Sequence, residues 1–273
     1  MPTCSLVIST YNWPDALRLC LLSVMEQTIL PDEIVICDDG SGSETNRLIE
    51  GFKLLFKIPI LHVWQPDEGF QLARIRNKGF AAANGDYLIQ IDGDLILHKN
   101  FVKDHLHFCQ TNCFATGSRV LLSQETTSAL IKQESIAIAT YEANSRNFFN
   151  RLRIPALHGL LAERYKNKGK HKYYVKGCNM AFWKSDILKV NGYNESFTGW
   201  GREDSELAIR LINAGVKKRF LKFGGISFHL FHAEASREME QKNIDLMKRA
   251  IAEKIIRTSD GIDYYLKPAQ HER

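Results

Sequence analysis

The chain has 273 residues, 44% of them hydrophobic, with 36 Lys and Arg against 31 Asp and Glu for a net charge of +5. That is enough apolar surface to bury a sizeable core, as one large α/β domain or a domain with an appendage. No segment approaches the ~20 apolar residues of a membrane span, and Met1-Pro2-Thr3-Cys4 opens without a basic region and apolar stretch, so a cytoplasmic location is expected.

The six cysteines, Cys4, Cys20, Cys37, Cys109, Cys113 and Cys178, fall mostly in apolar segments and form no Cys-x-x-Cys pair, which favours buried free thiols over bridges or zinc. Basic residues crowd two segments: Arg151, Arg153, Arg164, Lys166, Lys168, Lys170 and Lys172, then Lys217, Lys218, Arg219 and Lys222. No aromatic-interleaved basic groove or helix-turn-helix pattern accompanies them, so nucleic acid is not expected; a solvated basic face or contact with an anionic membrane explains the clusters.

The first hundred residues alternate between short apolar runs and helical patterns. Residues 5–9 read as a strand, Asp15 can cap a helix through 27, and 33–37 read as the next strand. A helix over 44–56, a strand at 60–63, a helix over 72–83 and a strand at 87–91 follow. This βαβαβαβ run predicts a mostly parallel sheet covered by helices. Ligands of such sheets bind beyond the carboxyl ends of the strands. That rule selects Thr10-Tyr11-Asn12, Asp38-Asp39-Gly40-Ser41 and Asp92-Gly93-Asp94 as one rim.

Residues 114–118 suggest another strand, 124–172 mix helical pattern with polar sequence, and 165–172 read as a mobile loop. Dense motifs return at Lys176-Gly177-Cys178-Asn179 and Gly199-Trp200-Gly201-Arg202-Glu203-Asp204, the latter opening a helix through about 214. After His229-Leu230-Phe231-His232, residues 235–256 carry apolar side chains at helical spacing, which suits an amphipathic helix packed on the domain.

Asp92-Gly93-Asp94 carries the most chemistry. Two carboxylates at the tip of a strand supply hard oxygen ligands for Mg²⁺ or Mn²⁺ and leave positions open for a substrate phosphate. An ordinary polar turn has the same composition, and the surrounding motifs decide between the two. Together, Ser9 to Asn12, Asp38 to Ser41, Ala73-Arg74-Ile75-Arg76-Asn77, Asp92 to Asp94 and Glu203-Asp204 resemble the family 2 glycosyltransferases and their GT-A nucleotide-sugar-binding fold. The Gly199 to Asp204 stretch also resembles the β-1,4-galactosyltransferases and bacterial chondroitin-type polymerases.

The resemblance implies a GT-A domain over 1–235, with a nucleotide-binding half to about 100, an acceptor-binding half beyond it, and a helical tail over 236–273. It implies that Thr10, Tyr11, Asn12, Asp38 and Asp39 meet uracil, with Asp39 accepting from its N3–H. Arg74, Arg76 and Asn77, near a helix start facing the rim, would engage diphosphate or ribose, with Asp92 and Gly93 beside them. Asp94 is expected to ligate the metal with His232 and His229. Asp204 is expected to be the base, Glu203 and Trp200 to bind the acceptor, and the glycines at 199 and 201 to let the loop hinge.

These readings combine into a metal-dependent, inverting transferase. It would move a hexose or N-acetylhexosamine from a UDP-sugar to a glycan or lipid-linked glycan in lipopolysaccharide or capsule synthesis. The competing expectations are a nucleotidyltransferase and a non-catalytic nucleotide-sugar-binding protein.

Overall fold

The structure is a computed structural model that describes residues 1–138, 147–233 and 236–266. The first half contains β1 (Cys4–Thr10), α1 (Pro14–Met25), β2 (Glu33–Asp38), α2 (Ser43–Leu55), β3 (Ile60–Trp64), α3 (Leu72–Ala82), β4 (Tyr87–Asp92), β5 (Leu95–Leu97) and α4 (Phe101–Phe108). Then come β6 (Cys113–Thr116), β7 (Val120–Leu121), α5 (Gln124–Lys132), α6 (His158–Leu161), β8 (Asn179–Trp183) and α7 (Lys184–Val190). The last elements are α8 (Glu203–Asn213), β9 (Lys217–Phe220), β10 (Ser227–His229), α9 (Glu240–Ala252) and α10 (Asp263–Leu266).

Seven strands form the main sheet in the order β3-β2-β1-β4-β8-β6-β9. β3, β2, β1 and β4 run parallel, whereas β8 lies antiparallel to β4 and β6. β1 and β2 are buried along their whole lengths because helices cover both faces, which is why they read as unbroken apolar runs. Alternation divides the core: Leu6, Ile8, Ile34 and Ile36 pack with α1 and α2, while Val7, Val35 and Leu88 pack with Phe80 of α3 and Leu207 of α8. A second sheet, β5-β10-β7, sits at the rim beyond β4. All six cysteines are free. Among the described residues no helix is long and apolar enough to cross a membrane.

Three expectations are corrected. Asp15 lies in the first turn of α1 rather than capping it; Trp13 holds the cap position and Pro14 begins the helix. Residues 165–172 are packed rather than mobile, because the buried Lys218 ammonium donates to the carbonyls of Lys166, His171 and Tyr174 at 2.8, 2.6 and 3.1 Å. The second basic cluster is therefore partly internal wiring. Lys222 is buried and donates to Asn150 Oδ1, and Arg219 donates to the Phe108 carbonyl while lying over that ring. The amphipathic helix does form, as α9, and Asn213 of α8 donates to the Ala250 and Ile255 carbonyls at its end. Residues 267–273 of the expected tail lie outside the described residues.

Lys218→Ala would leave three carbonyls without their donor. It should lower the unfolding free energy by about 2–3 kcal/mol in urea titrations, and an unchanged midpoint would contradict the packing described for 165–174.

Candidate active site

Parallel pairing sets the rim. Thr10 is in register with Asp38, and Ser9 with Asp92, so the segments leaving β1, β2 and β4 emerge together. Hydrogen bonds stitch the first two: the Asp39 N–H donates to the Thr10 carbonyl, the Gly42 N–H to Asn12 Oδ1, and the Asn12 N–H to Ser41 Oγ. Asp38 points inward, accepting from the Ser41 N–H and contacting His62 Nε2 at 3.0 Å. It braces the turn. Asp39 is also buried, with Gln65 Nε2 donating to one oxygen at 2.6 Å and the Gln71 N–H to the other at 2.9 Å. Tyr11 stands half-exposed and its hydroxyl donates to Asp67.

Asp92 and Asp94 face different partners although only Gly93 separates them. The Gly93 N–H donates to the Ser9 carbonyl at 2.7 Å, and a Cβ there would sit 3.0 Å from that same oxygen. Glycine lets the turn press against β1 and splits the two carboxylates.

Asp92 belongs to a network centred on Arg76, a cation with 1% exposure. Arg76 donates from Nη2 to Asp92 Oδ1 at 2.9 Å, from Nη1 to Asp204 Oδ1 at 2.9 Å and from Nε to Ser9 Oγ at 3.2 Å. Glu203 Oε1 lies 3.6 Å from Nη1. Burial raises the Asp92 carboxyl to about 6, with Arg76 opposing and the charges of Asp94 and Asp204 adding. Burial, then the Asp204 charge, raises Glu203 to about 8. Arg76, expected to engage diphosphate or ribose, thus directs one N–H from each of its three nitrogens to Ser9 and to the protein's own carboxylates. Asn77, expected beside it, is wholly buried, accepts from the Tyr193 N–H and donates to the Tyr193 carbonyl and Glu195. Arg74 lies at the surface, paired with Glu68 at 2.7 Å.

Asp94 is served by the small sheet. β10 runs antiparallel to β5 with His229 opposite Leu95, and the Leu230 N–H donates to the Asp94 carbonyl at 3.0 Å. His229 and His232 Nε2 consequently lie 3.4 and 3.2 Å from Asp94 Oδ2. Their Nδ1 atoms meet the Leu230 and Ala233 carbonyls at 2.8 and 2.7 Å. A carbonyl only accepts, so Nδ1 carries the proton and a neutral ring turns its Nε2 lone pair toward Asp94. Asp94 Oδ1 is buried and has no hydrogen-bond partner among the described residues. One carboxylate, two imidazoles and an orphaned oxygen, with candidate ligand atoms within 4.8 Å of one another, fit a divalent cation. Imidazole nitrogens in such a set suit a transition-metal cation better than Mg²⁺, which takes oxygen ligands. Without a cation the Asp94 hydrogen bond raises His232 to about 9, while burial lowers His229.

Across the rim, Glu203 and Asp204 open α8 behind a turn in which Gly199, Gly201 and Arg202 all have positive φ. Trp200 is partly exposed beneath the Arg237 guanidinium, 5.1 Å from the ring centroid. This loop is docked: the Gly199 N–H donates to the Phe70 carbonyl, and Asn243 of α9 donates to the Thr198 and Trp200 carbonyls. Asp204 Oδ1 also accepts from the Tyr193 hydroxyl at 2.7 Å. A Cβ at Gly177 would lie 1.8 Å from Asp204 Oδ2, so that position must be glycine for the carboxylate to sit where it does.

Sequence reasoning missed four contributors: Gln90, Tyr193, Gly177 and Arg119. Arg119 is half-buried, donates to Cys178 Sγ at 3.1 Å and adds positive charge beside Asp92 and Asp94. Gly177 stood inside a motif already singled out. Gln90 offered a signal in being the one polar residue of an otherwise apolar strand run.

Residues 5–185 match the glycosyl transferase family 2 profile, and 158–233 match that described as the N-terminal domain of galactosyltransferase. The chain belongs to glycosyl transferase family 2 and is a glycosyltransferase domain of GT-A fold. It is 27% identical to a chondroitin synthase of Escherichia coli over 82% of this chain and 34% of that protein. Identity is 25% to a validoxylamine A glucosyltransferase of Streptomyces hygroscopicus subsp. limoneus, over 79% of this chain and 49% of that protein. The chain thus spans between a third and a half of the length of these relatives. Its fold matches S. aureus TarS 1–349 in complex with UDP, with a TM-score of 0.64 and 14% identity, covering 96% of this chain and 68% of that one. A mannosyltransferase of Pyrobaculum calidifontis in complex with GDP-Man and Mn²⁺ matches with a TM-score of 0.61 and 14% identity, covering 98% and 70%.

Titration with Mn²⁺, followed by loss of the free-ion EPR signal, should show one site. Asp94→Asn and His232→Ala should each weaken it at least about tenfold, and undiminished affinity in both would remove the cation from this position.

Proposed function

We propose that this domain is a Mn²⁺-dependent, inverting transferase that moves a hexose or N-acetylhexosamine from a UDP-sugar to a glycan hydroxyl. The observation that carries the reading is the Arg76 guanidinium, which joins Asp92 on the nucleotide side to Asp204 on the opposite side at 2.9 Å each. In support, the two solved structures of like fold hold UDP in one case and GDP-Man with Mn²⁺ in the other.

Asp94, His229 and His232 would hold the cation. When bound, it neutralises charge on the departing diphosphate. Thr10, Tyr11, Asn12 and Asp39 form the base-binding edge, with Asp38 bracing it, while Asp92 and Gly93 shape the ribose side. Asp204 is the base. Its Oδ1 is occupied by Arg76 and Tyr193, and among the described residues no hydrogen bond is made to Oδ2. Oδ2 takes the proton of the acceptor hydroxyl as that oxygen bonds to the anomeric carbon and the bond to diphosphate breaks on the opposite face. One displacement inverts the centre. Glu203, raised by burial toward a neutral carboxyl, and Trp200, with an apolar ring face, are placed to bind the acceptor.

The acceptor we favour is a bacterial surface glycan such as lipopolysaccharide core or capsule, on the likeness to chondroitin synthases. The second basic cluster lends little to peripheral membrane contact, since Lys218, Arg219 and Lys222 are engaged internally.

A panel of UDP-sugars assayed with Mn²⁺ should identify a donor that is hydrolysed or transferred. Asp204→Asn should then lose about 10²–10⁴ in kcat while still binding UDP, and near-normal turnover would exclude Asp204 as base.

A further inference from the structure

Gln90 and Tyr193 stand directly behind Asp204, both wholly buried; Tyr193 has so far only occupied Asp204 Oδ1, and Gln90 has been given no role. The Gly177 carbonyl can only accept, so Gln90 must turn its amide nitrogen to it, at 2.7 Å, and its oxygen to Tyr193 Oη, at 2.9 Å. The same Oη lies 2.7 Å from Asp204 Oδ1. A phenol has one proton, and here two oxygens, neither with a proton of its own while Asp204 is ionised, compete for it. The charged or titratable groups facing this cluster are Arg76 from α3, Asp92 from the tip of β4 and Glu203 from α8. Among the described residues, none of them hydrogen-bonds to Gln90.

We propose that Gln90 and Tyr193 are a positioning pair that shares one hydroxyl proton with the base: the hydroxyl donates to Asp204 while it is a carboxylate and turns to Gln90 Oε1 once Asp204 has taken the acceptor's proton. The proposal rests on Asp204 being the base. Tyr193 loses no proton, because its hydrogen moves only by rotation about the Cζ–Oη bond. Burial and the adjacent Asp204 charge hold the phenol well above its usual range, so it stays protonated throughout. A carboxylate is a stronger acceptor than an amide, and an amide oxygen is a stronger acceptor than a carboxylic acid already bonded to Arg76. The preferred partner therefore reverses with the charge of Asp204. Without Gln90 the hydroxyl would remain on Asp204 and favour its ionised form, making a poorer base. The burial of both residues keeps water from substituting for the amide oxygen.

The test is direct titration of the Asp204 carboxyl by ¹³C NMR in the substrate-free protein, with its resonance assigned by its absence from Asp204→Asn. Tyr193→Phe should raise the midpoint by about one pH unit, the equivalent of one modest hydrogen bond. Gln90→Met should lower it, and in the Tyr193→Phe background Gln90→Met should change nothing further. A midpoint that Gln90→Met leaves alone or raises overturns the pair. Should the substituted proteins fail to fold, the Tyr193 ¹³Cζ resonance of the unsubstituted protein must shift in step with the Asp204 carboxyl, and a signal constant through that titration overturns the pair equally. Failure of the base itself is read separately: turnover by Asp204→Asn removes the catalytic meaning of the pair whatever the NMR midpoints show. Inactivity of Asp204→Asn with an unmoved Gln90→Met midpoint removes the pair alone.

Discussion

The site depends on one buried cation. Arg76 reaches from α3 to Asp92 at the tip of β4 and to Asp204, 128 residues away in sequence, with Glu203 close by. Removing a guanidinium and its partners from water costs several kcal/mol per ion, which is offset only where the hydrogen bonds are well made. Here they are: Nε, Nη1 and Nη2 each have an oxygen partner. The carboxylates still outnumber the cation, which is why burial and mutual repulsion hold Asp92 and Glu203 above the ordinary carboxylate range.

This arrangement separates the duties of two acids that are nearly adjacent in sequence. Strand alternation would put Asp92 and Asp94 on one face, but the turn at Gly93 interrupts it. Asp92 then faces Arg76, and Asp94 faces the histidines delivered by β10. The arginine network and the histidine cluster thus adjoin without sharing a carboxylate.

The parallel half of the fold was legible because β1, β2 and β4 are buried on both faces and bounded by polar turns, a pattern that few other structures produce. The three acid-bearing segments were legible for the same reason, since they follow those strands. β5, β7 and β10 were not, because strands of two or three residues carry no periodicity, yet their pairing places His229. Arg76 and Asn77 show the other limit. A polar side chain at a rim has the same sequence signature whether it faces a ligand or the protein's own carboxylates and backbone. Lys218 was misread: its charge suggested surface, while its three acceptors are backbone carbonyls that no sequence pattern reveals.

The most direct test is the pH dependence of stability in Arg76→Met. Carboxyls raised in the folded state contribute stability that is present below their unfolded values and lost as pH rises through their folded ones, here from about 4 through about 6 for Asp92 and about 8 for Glu203. Removing the arginine raises those folded values further, so the loss between pH 5 and pH 8 should steepen. The variant should fall short of the unsubstituted protein by about 3–5 kcal/mol at pH 8 and recover much of that at pH 5. Parallel stability curves for the two proteins would contradict the claim that one guanidinium holds the site together.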